Sequence, residues 1–421
     1  MESWEFGLRQ AVLCAGARLL EQMVEGVGSG RRDSPVLCDC GAKMDSVGRR
    51  GKPIKTILGE LRFKRSVFVC PACGSKRVPG DEALDVVDTV FSPGLDRLMA
   101  RAGQRDTFKE GRDDLKEFAE VEVTAKQVER VSEAAGEAVE SWHQKERELA
   151  MAGELLGESD APVPVLYVSY DGTGVPMVPW ETAGRAGKQE DGSSRSRETK
   201  LGCVFTQSKT DKEGFPVRDD ESTSFVGAIE SSFEFGGRIY TEARRRGLDH
   251  ADKVVVIADG ARYNWEIAAL HFYGSTEIVD LYHAREHLHD LCALLKPKGS
   301  KDFNKLEIQM RTWLDEGKVE KIIAKAQKLL PEDEDKTEDA EKQIGYFRNN
   351  AKRMRYGEFR EQGLFVGSGV VEAGCKTVVG KRLKQSGMEW TVRGANSIIA
   401  LRCLHLSGRT EEFWEQKAQE R

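Results

Sequence analysis

VPVLYVSYDG at 163–172 and KVVVIADG at 253–260 decide how this chain is read. Each is a run of β-branched, aromatic and small residues, short for a buried helix and long enough for a strand. Each closes on the same dipeptide, Asp171-Gly172 in one and Asp259-Gly260 in the other. Asp-Gly forms tight turns, and a single such aspartate ordinarily means no more than that. An ionised carboxylate after an apolar strand is costly to desolvate unless a cation or hydrogen-bond donors compensate it. Two of them, on two strands, point to a divalent cation, because hard cations such as Mg2+ are held by a few carboxylates together with phosphate oxygens.

The neighbouring sequence extends this pattern. TKLGCVFTQSK (199–209) and STEIVDLYH (275–283) read as further strands, the second leading into a helix near His283. The stretch from Val226 to Arg246 reads as mainly helical. Strands alternating with helices argue a layered α/β domain. A third acid stands in GLFVGSGVVEAGCKTVVGKRLKQSGMEW (363–390), where Gly367-Ser368-Gly369 opens a helix and Glu372 falls in its first turn. Lys376 follows one turn later on the same face, and Lys381, Arg382 and Lys384 come after it. One carboxylate beside a basic helix suits a metal held next to a phosphate backbone, although a Glu–Lys pair on a solvated helix has the same spacing. From His283 to Arg355 the sequence is helical, broken by the acidic PEDEDKTEDAE (331–341), and it reads as an all-helical insertion over about 290–355.

Upstream, Cys38-Asp39-Cys40-Gly41 is followed by Cys70-Pro71-Ala72-Cys73-Gly74. Two short knuckles supply four thiolates, the donor set of a structural zinc site with no open position for chemistry. A glycine after each knuckle permits the tight turn that points both sulfurs inward. Between them KTILGELRFKRSVFVC alternates apolar and basic residues around Leu58-Gly59, which reads as two or three antiparallel strands. The unit over 36–80 reads as a zinc ribbon. Its basic residues Arg49, Arg50, Lys52, Lys55, Arg62, Lys64 and Arg65 form a candidate phosphate-contacting face. From Ser92 to Ala152 the pattern is helical, and Thr124 caps a helix after a Val-Glu-Val break, as in a helix-turn-helix with Lys126, Gln127 and Arg130 facing a groove. GESDAPVPV (157–165) marks a domain boundary near residue 160. The helix from Phe6 to Val24 places Leu8, Val12, Ala15, Leu19 and Met23 on one face, read as packing on the ribbon, with assembly as its other use.

The 421 residues carry a net charge of −6, which at first opposes nucleic-acid binding. The distribution says otherwise. Residues 36–80 hold ten Lys/Arg against three Asp/Glu, and residues 376–402 hold six against one. The acids concentrate in residues 81–160, with 21 against ten basic residues. A nucleic-acid surface needs local basic patches, not a basic whole. Nine cysteines, most of them in apolar settings, fit a reducing compartment. No apolar run approaches the ~20 residues of a membrane helix, and the charged N-terminus is unlike a secretory signal.

Several of these stretches together resemble the ISKra-type family of bacterial insertion-sequence transposases, members of the DDE group with an RNase H-like fold. They are YDGTGVPM (170–177), ADGARYNW (258–265), IVDLYHAREHL (278–288), NNAKRMRYGEFREQGLFVGSGVVEAGCK (349–376), RLKQSGMEWTVRGANSIIALR (382–402) and the cysteine knuckles. The resemblance runs from about residue 36 to the end. It implies an α/β chain in which an N-terminal helix (1–35), a zinc ribbon (36–80) and a helical domain of helix-turn-helix type (81–155) precede an RNase H-like catalytic domain (160–421) interrupted by the helical insertion. It implies Asp171, Asp259 and Glu372 as the catalytic triad holding two Mg2+ or Mn2+ ions, with Asp171 bridging, and Cys38, Cys40, Cys70 and Cys73 as ligands of one structural Zn2+. Asp280 and His283 match a supporting D-x-x-H signature. Arg49, Arg50, Lys52, Arg62, Lys64, Lys376, Lys381, Arg382 and Lys384 become DNA contacts. The implied activity is cleavage of element ends in double-stranded DNA and joining of their 3′-hydroxyls to target DNA. It would be carried out by a homodimer or larger assembly in the bacterial cytoplasm, on the nucleoid.

Other classes compete. A transposase-derived DNA-binding protein and an RNase H-like nuclease without strand transfer share every feature above. His283-Ala284-Arg285-Glu286-His287 is also the H-x-x-E-H pattern of a metallopeptidase group, a reading that leaves the three acids unexplained.

Overall fold

The computed structural model describes residues 1–28, 34–157, 161–187 and 189–420. The chain divides into two compact units, Met1–Ala138 with Thr410–Arg421, and Val139–Arg409. Of the boundary stretch 157–165, residues 158–160 lie outside the described residues.

In the first unit α1 (Glu2–Gly28) precedes a three-stranded antiparallel sheet of β1 (Asp45–Thr56), β2 (Gly59–Val69) and β3 (Lys76–Arg77). The β1–β2 hairpin turns at Ile57-Leu58, where Gly59 takes a positive φ of 127°. One sheet face puts Ile54, Leu61 and Phe63 into a core with Val86, which Leu20 and Val24 of α1 cover. The face of α1 expected to pack, Leu8, Val12, Ala15, Leu19 and Met23, is instead exposed. The helix is apolar on two sides, so periodicity alone does not select which side is covered. After α2 (Pro79–Ala83), helices α3 (Pro93–Arg105), α4 (Phe108–Ala119) and the start of α5 (Ala125–Ala152) pack around Leu95, Met99, Leu115 and Val128. Thr124 caps α5 as the sequence indicates, its Oγ1 accepting from Gln127 N (3.2 Å) while Gln127 Oε1 accepts from Thr124 N (2.8 Å).

The second unit is built on a five-stranded mixed sheet. Its elements are β4 (Val163–Pro176), α6 (Pro179–Thr182), β5 (Ser196–Gln207), the small hairpin β6 (Lys209–Thr210) and β7 (Pro216–Val217), β8 (Ser224–Ala228), α7 (Ser232–Arg245), β9 (Ala251–Ala258), α8 (Arg262–His271) and β10 (Thr276–Val279). The strand order is β10-β9-β4-β5-β8. β4, β5 and β8 pair antiparallel, while β9 and β10 run parallel to β4 on its other side. Central β4 has Leu166, Tyr167, Val168 and Tyr170 buried in succession, as a strand covered on both faces requires. α7 covers one face: a Cβ on Gly202 would meet Ile239 Cδ1 at 2.5 Å. The opposite face, carrying Leu201, meets the helix that starts at Gly369.

β8 departs from the sequence reading, which made this stretch helical. It is a five-residue edge strand, and the helix begins only at Ser232, where Ser231 and Glu234 form a capping box. Four helices follow β10: α9 (Leu281–Leu295), α10 (Lys301–Asp315), α11 (Val319–Gln327) and α12 (Glu334–Asn350). The acidic run interrupts them only at Pro331–Asp333. Asp333 caps α12, and Glu334 and Asp335 occupy its first turn, where the helix dipole favours negative charge. Then come α13 (Tyr356–Glu361), α14 (Gly369–Gly374), a π-helical turn over Cys375–Gly380, α15 (Lys381–Leu383) and α16 (Val392–Leu406). The terminal helix α17 (Thr410–Gln419) belongs to the first unit, and its Phe413 is buried. No helix among the described residues is long and apolar enough to cross a membrane.

Candidate active site

The two aspartates read from the sequence come together through strand register. Parallel pairing of β4 with β9 runs to Ser169 opposite Ile257. Two residues further along each chain lie Asp171, still within β4, and Asp259, just past the end of β9. Asp171 does not end its strand, as its Asp-Gly dipeptide suggests. β4 continues against β5 as far as Pro176 opposite Ser196, with Asp171 opposite Leu201. Asp259 does lie just beyond β9, and its Oδ1 accepts from Ala261 N at 2.9 Å and Asn264 Nδ2 at 2.5 Å.

Glu372 arrives on α14, whose backbone begins at Ser368: Glu372 N donates to Ser368 O at 3.1 Å. The helix comes close because Gly374 faces the sheet, where a Cβ would meet Phe225 Cε1 at 2.7 Å. The π-helical turn follows directly, a feature that recurs at functional sites. Burial raises the Asp171 carboxyl above the usual carboxylate range; the Asp259 and Glu372 carboxylates push it the same way, against Gly172 N–H and His283. Asp259 and Glu372 thus each lie near enough to Asp171 to act on its charge. Among the described residues the one group of three or more metal-ligating side chains with donor atoms within 4.8 Å of one another is the cysteine quartet.

Asp280 ties these pieces together. It is fully buried. Its backbone N–H donates to Ala258 O at 2.8 Å, at the end of Asp259's strand. Its Oδ1 accepts from His283 N at 2.8 Å, capping α9, and its Oδ2 accepts from Ser368 N, where Glu372's helix starts. Burial works against its charge, but the donors at His283 and Ser368 win and hold it below the usual range. His283 Nδ1 lies 3.3 Å from Asp280 Oδ1. The Asp280 carboxylate, with Asp171 and Asp259 adding to it, raises the imidazole to about 9, so the ring is cationic at neutral pH. His287 is engaged elsewhere, its Nδ1 2.8 Å from Gln343 Oε1 and its ring stacked on Tyr346 at 3.7 Å, so the two histidines of the H-x-x-E-H pattern do not share a ligand.

Four further side chains border the acids. Lys384 Nζ lies 2.5 Å from Thr173 Oγ1, two residues beyond Asp171. Glu198 stands over Gly172, where a Cβ would meet its Oε1 at 2.4 Å, and pairs with Lys200 Nζ at 2.8 Å. Tyr346 of α12 covers Gly260 so closely that a Cβ there would meet its Cε2 at 2.1 Å. Cys375 Sγ is 3.9 Å from Asp171 Oδ2. Of these the sequence reading found only Lys384. Glu198 is missed because the sequence pattern starts this strand at Thr199, three residues after its true start at Ser196, and Tyr346 is missed because nothing local links a helix of the insertion to a strand end.

The cysteine knuckles form a second centre. Cys38 Sγ is 3.5 Å from Cys73 Sγ, and Cys40 Sγ is 3.6 Å from Cys70 Sγ. Tetrahedral zinc with Zn–S bonds of about 2.3 Å sets sulfurs about 3.8 Å apart, so the cage fits that ion. Gly41 and Gly74 both take positive φ, at 85° and 75°, and turn the knuckles inward. Ser75 Oγ lies 3.0 Å from Cys38 Sγ and 3.2 Å from Cys73 Sγ. Hydrogen bonding by Ser75 lowers both thiols, Cys38 to about 6, while the neighbouring Cys38 and Cys70 sulfurs push Cys40 up to about 12, so a bound cation would be needed to ionise all four.

The expected basic surfaces are partly present. Arg49, Arg50, Arg62, Lys64, Lys376, Lys381 and Lys384 are exposed. Lys52 is not: it shares strand parity with Ile54 and Thr56, points into the core, and binds buried Asp81 at 2.9 Å. Arg382 is fully buried, with its guanidinium 4.9 Å from the Trp390 ring centroid. Arg353 pairs with Glu277 at 2.5 Å and lies over Trp265, while Arg355 pairs with Glu320 at 2.9 Å, so both cations are already neutralised.

No protein-family model matches the chain, and no curated protein matches it. Among solved structures it is similar to the Drosophila P element transposase strand transfer complex, at 10% sequence identity over 76% of this chain and 80% of that one, with a TM-score of 0.24. At that score the likeness carries no weight, and function has to be read from the residues.

Proposed function

We propose that the chain is a DDE transposase of the ISKra type, cleaving the ends of an insertion sequence and joining their 3′-hydroxyls to target DNA. The observation that carries this is Asp171 on β4 and Asp259 just past the end of its parallel neighbour β9, with Glu372 near enough to add to the rise of Asp171. The sheet supports an RNase H-like catalytic domain: three antiparallel strands continue into two parallel ones, the first acid is on the first strand, the second follows the fourth, and the third is on a helix near the end. The helices from α9 to α12 stand where the insertion is proposed, between the second and third acids.

The donor set fits divalent cations. Burial chiefly, with the Asp259 and Glu372 carboxylates adding to it, disfavours the charge on Asp171, and a bound cation would offset that cost. Two bound ions supply activation of the attacking oxygen and stabilisation of the leaving one. The chain's own residues do the rest. Asp171, Asp259 and Glu372 would hold the ions, with Asp259 oriented by Ala261 N and Asn264 Nδ2. Asp280 fixes the start of Glu372's helix relative to the end of Asp259's strand. Lys384 places an ammonium beside Thr173, suited to a phosphate of the bound strand, with exposed Lys376 and Lys381 on the same segment. The zinc ribbon, with Arg49, Arg50, Arg62 and Lys64 outward, is proposed as a DNA-contacting module whose single Zn2+ is structural.

Calorimetric titration with Mn2+ tests the site directly. The wild-type chain should bind the ion, and Asp171→Asn and Glu372→Gln should each weaken binding at least tenfold. Equal affinity in all three proteins would remove the metal site from the account.

A further inference from the structure

The opening helix leaves its longest apolar stripe open. Trp4, Leu8, Val12, Leu19, Met23 and Val27 are between 46% and 80% exposed, and Ala15 is exposed among them. Their spacings of four and three residues keep them on one side of α1 over about 35 Å of its length. At 100° per residue, the sector from Trp4 to Met23 otherwise contains Gln22 and Gly26, with Glu5 at its edge as its one charged side chain, while Val27 lies about 40° beyond, level with Arg9. The opposite side, through Ala17, Leu20 and Val24, already covers the ribbon core. The open stripe amounts to roughly 800 Å2 of apolar surface, more than a typical monomer leaves uncovered and about what each partner contributes to a stable complex.

We infer that this stripe is a dimerisation surface, occupied by α1 of a second copy lying antiparallel. The sequence of the stripe is self-complementary about the Ala15–Gly16 bond. Trp4 and Val27 are equidistant from it, as are Leu8 and Met23, and Val12 and Leu19. A two-fold axis there sets Trp4 against the partner's Val27, Leu8 against the partner's Met23 and Val12 against the partner's Leu19, which is the arrangement an isologous interface needs. Ala15 at the crossing lets the helices approach closely, and antiparallel alignment opposes their dipoles. A lipid surface suits the stripe poorly, because α1 holds four glutamates and two arginines and lacks the cationic flank of a membrane-lying helix. This inference rests on α1 alone and is independent of the proposed activity.

Sedimentation equilibrium of the full chain should give twice the monomer mass for wild type and the monomer mass for Leu8→Glu/Leu19→Glu, with unchanged circular dichroism because both side chains lie outside the core. Oxidative cross-linking on a Cys14→Ser background checks the geometry without relying on that variant. Ala15→Cys should link to itself. Trp4→Cys should not, since its two copies would be about 35 Å apart, but should link to Val27→Cys in mixed samples. A monomeric wild type, whether or not it pellets with anionic vesicles, would overturn the inference. So would a dimer that survives Leu8→Glu/Leu19→Glu, or a self-link at Trp4→Cys without one at Ala15→Cys.

Discussion

Replacing Asp280 by alanine should destabilise the second unit more than any surface change. The substitution strips the acceptor from two backbone N–H groups, those of His283 and Ser368, at a position with no access to water. Each buried donor left without an acceptor costs about 1–3 kcal/mol, so the pair costs about 4 kcal/mol. For a unit of this size that corresponds to a fall in melting temperature of roughly 8–16 °C. Asp280→Asn keeps one acceptor oxygen and turns an amide NH2 toward the other donor, so about half the loss is expected, roughly 2 kcal/mol. Thermal and urea unfolding of the full chain, followed by circular dichroism, measure both. The two variants should also weaken Mn2+ binding through Glu372, whose helix starts at the N–H that Asp280 holds. A loss below about 1 kcal/mol in both variants would refute the idea that this carboxylate clamps the site.

Other consequences follow from the same geometry. The purified chain should carry one zinc by elemental analysis, and Cys70→Ser should lose the metal and unfold the ribbon while leaving the mixed sheet intact by hydrogen exchange. Arg238 donates to Glu140 at 2.9 Å and to Glu230 at 2.7 Å. Burial opposes the Glu140 charge, but Arg238 and Arg147 overcome it and hold the carboxyl at about 2. A folded-state value below the unfolded one of about 4.5 means that this stabilisation is complete above 4.5 and lost as pH falls toward 2. The melting-temperature advantage of wild type over Glu140→Gln should therefore close across that window, and a constant difference would contradict the pairing. Gly260→Ala must displace the Tyr346 ring, at an overpacking cost of about 1–3 kcal/mol. Lys384→Ala should weaken DNA binding across sequences and reduce the salt dependence by about one charge, whereas an unchanged salt slope would take Lys384 off the phosphate path.

The parts legible in the sequence were those whose chemistry is local. Cys38, Cys40, Cys70 and Cys73 converge because each knuckle carries its own turn, with Gly41 and Gly74 at positive φ. The strands bearing Asp171 and Asp259 were visible as apolar runs, and Ser368 as the start of Glu372's helix. What was hidden depends on pairing across the chain. Asp171 continues its strand because β5 offers a partner as far as Ser196, which no dipeptide rule can foresee. Lys52 was counted with the outward bases, yet its parity with Ile54 sends it inward to Asp81, and the alternation itself contained that signal. Arg382 sits two residues before exposed Lys384 and is buried under Trp390, because a helix presents neighbouring residues to different sides. The edge strand β8 is too short to show a period, and α1, apolar on two faces, does not say which one the ribbon covers.

The central claim is that Asp171, Asp259 and Glu372 act together to cut and join DNA. Its most direct test incubates the purified full chain with Mg2+, DNA carrying the ends that flank its own reading frame, and target DNA, in parallel with Glu372→Gln. Joined products are expected with wild type and none with Glu372→Gln, while both proteins bind the ends. Cleavage without joining would favour a nuclease, binding without cleavage a DNA-binding relative, and joining that survives Glu372→Gln would contradict the active site described above.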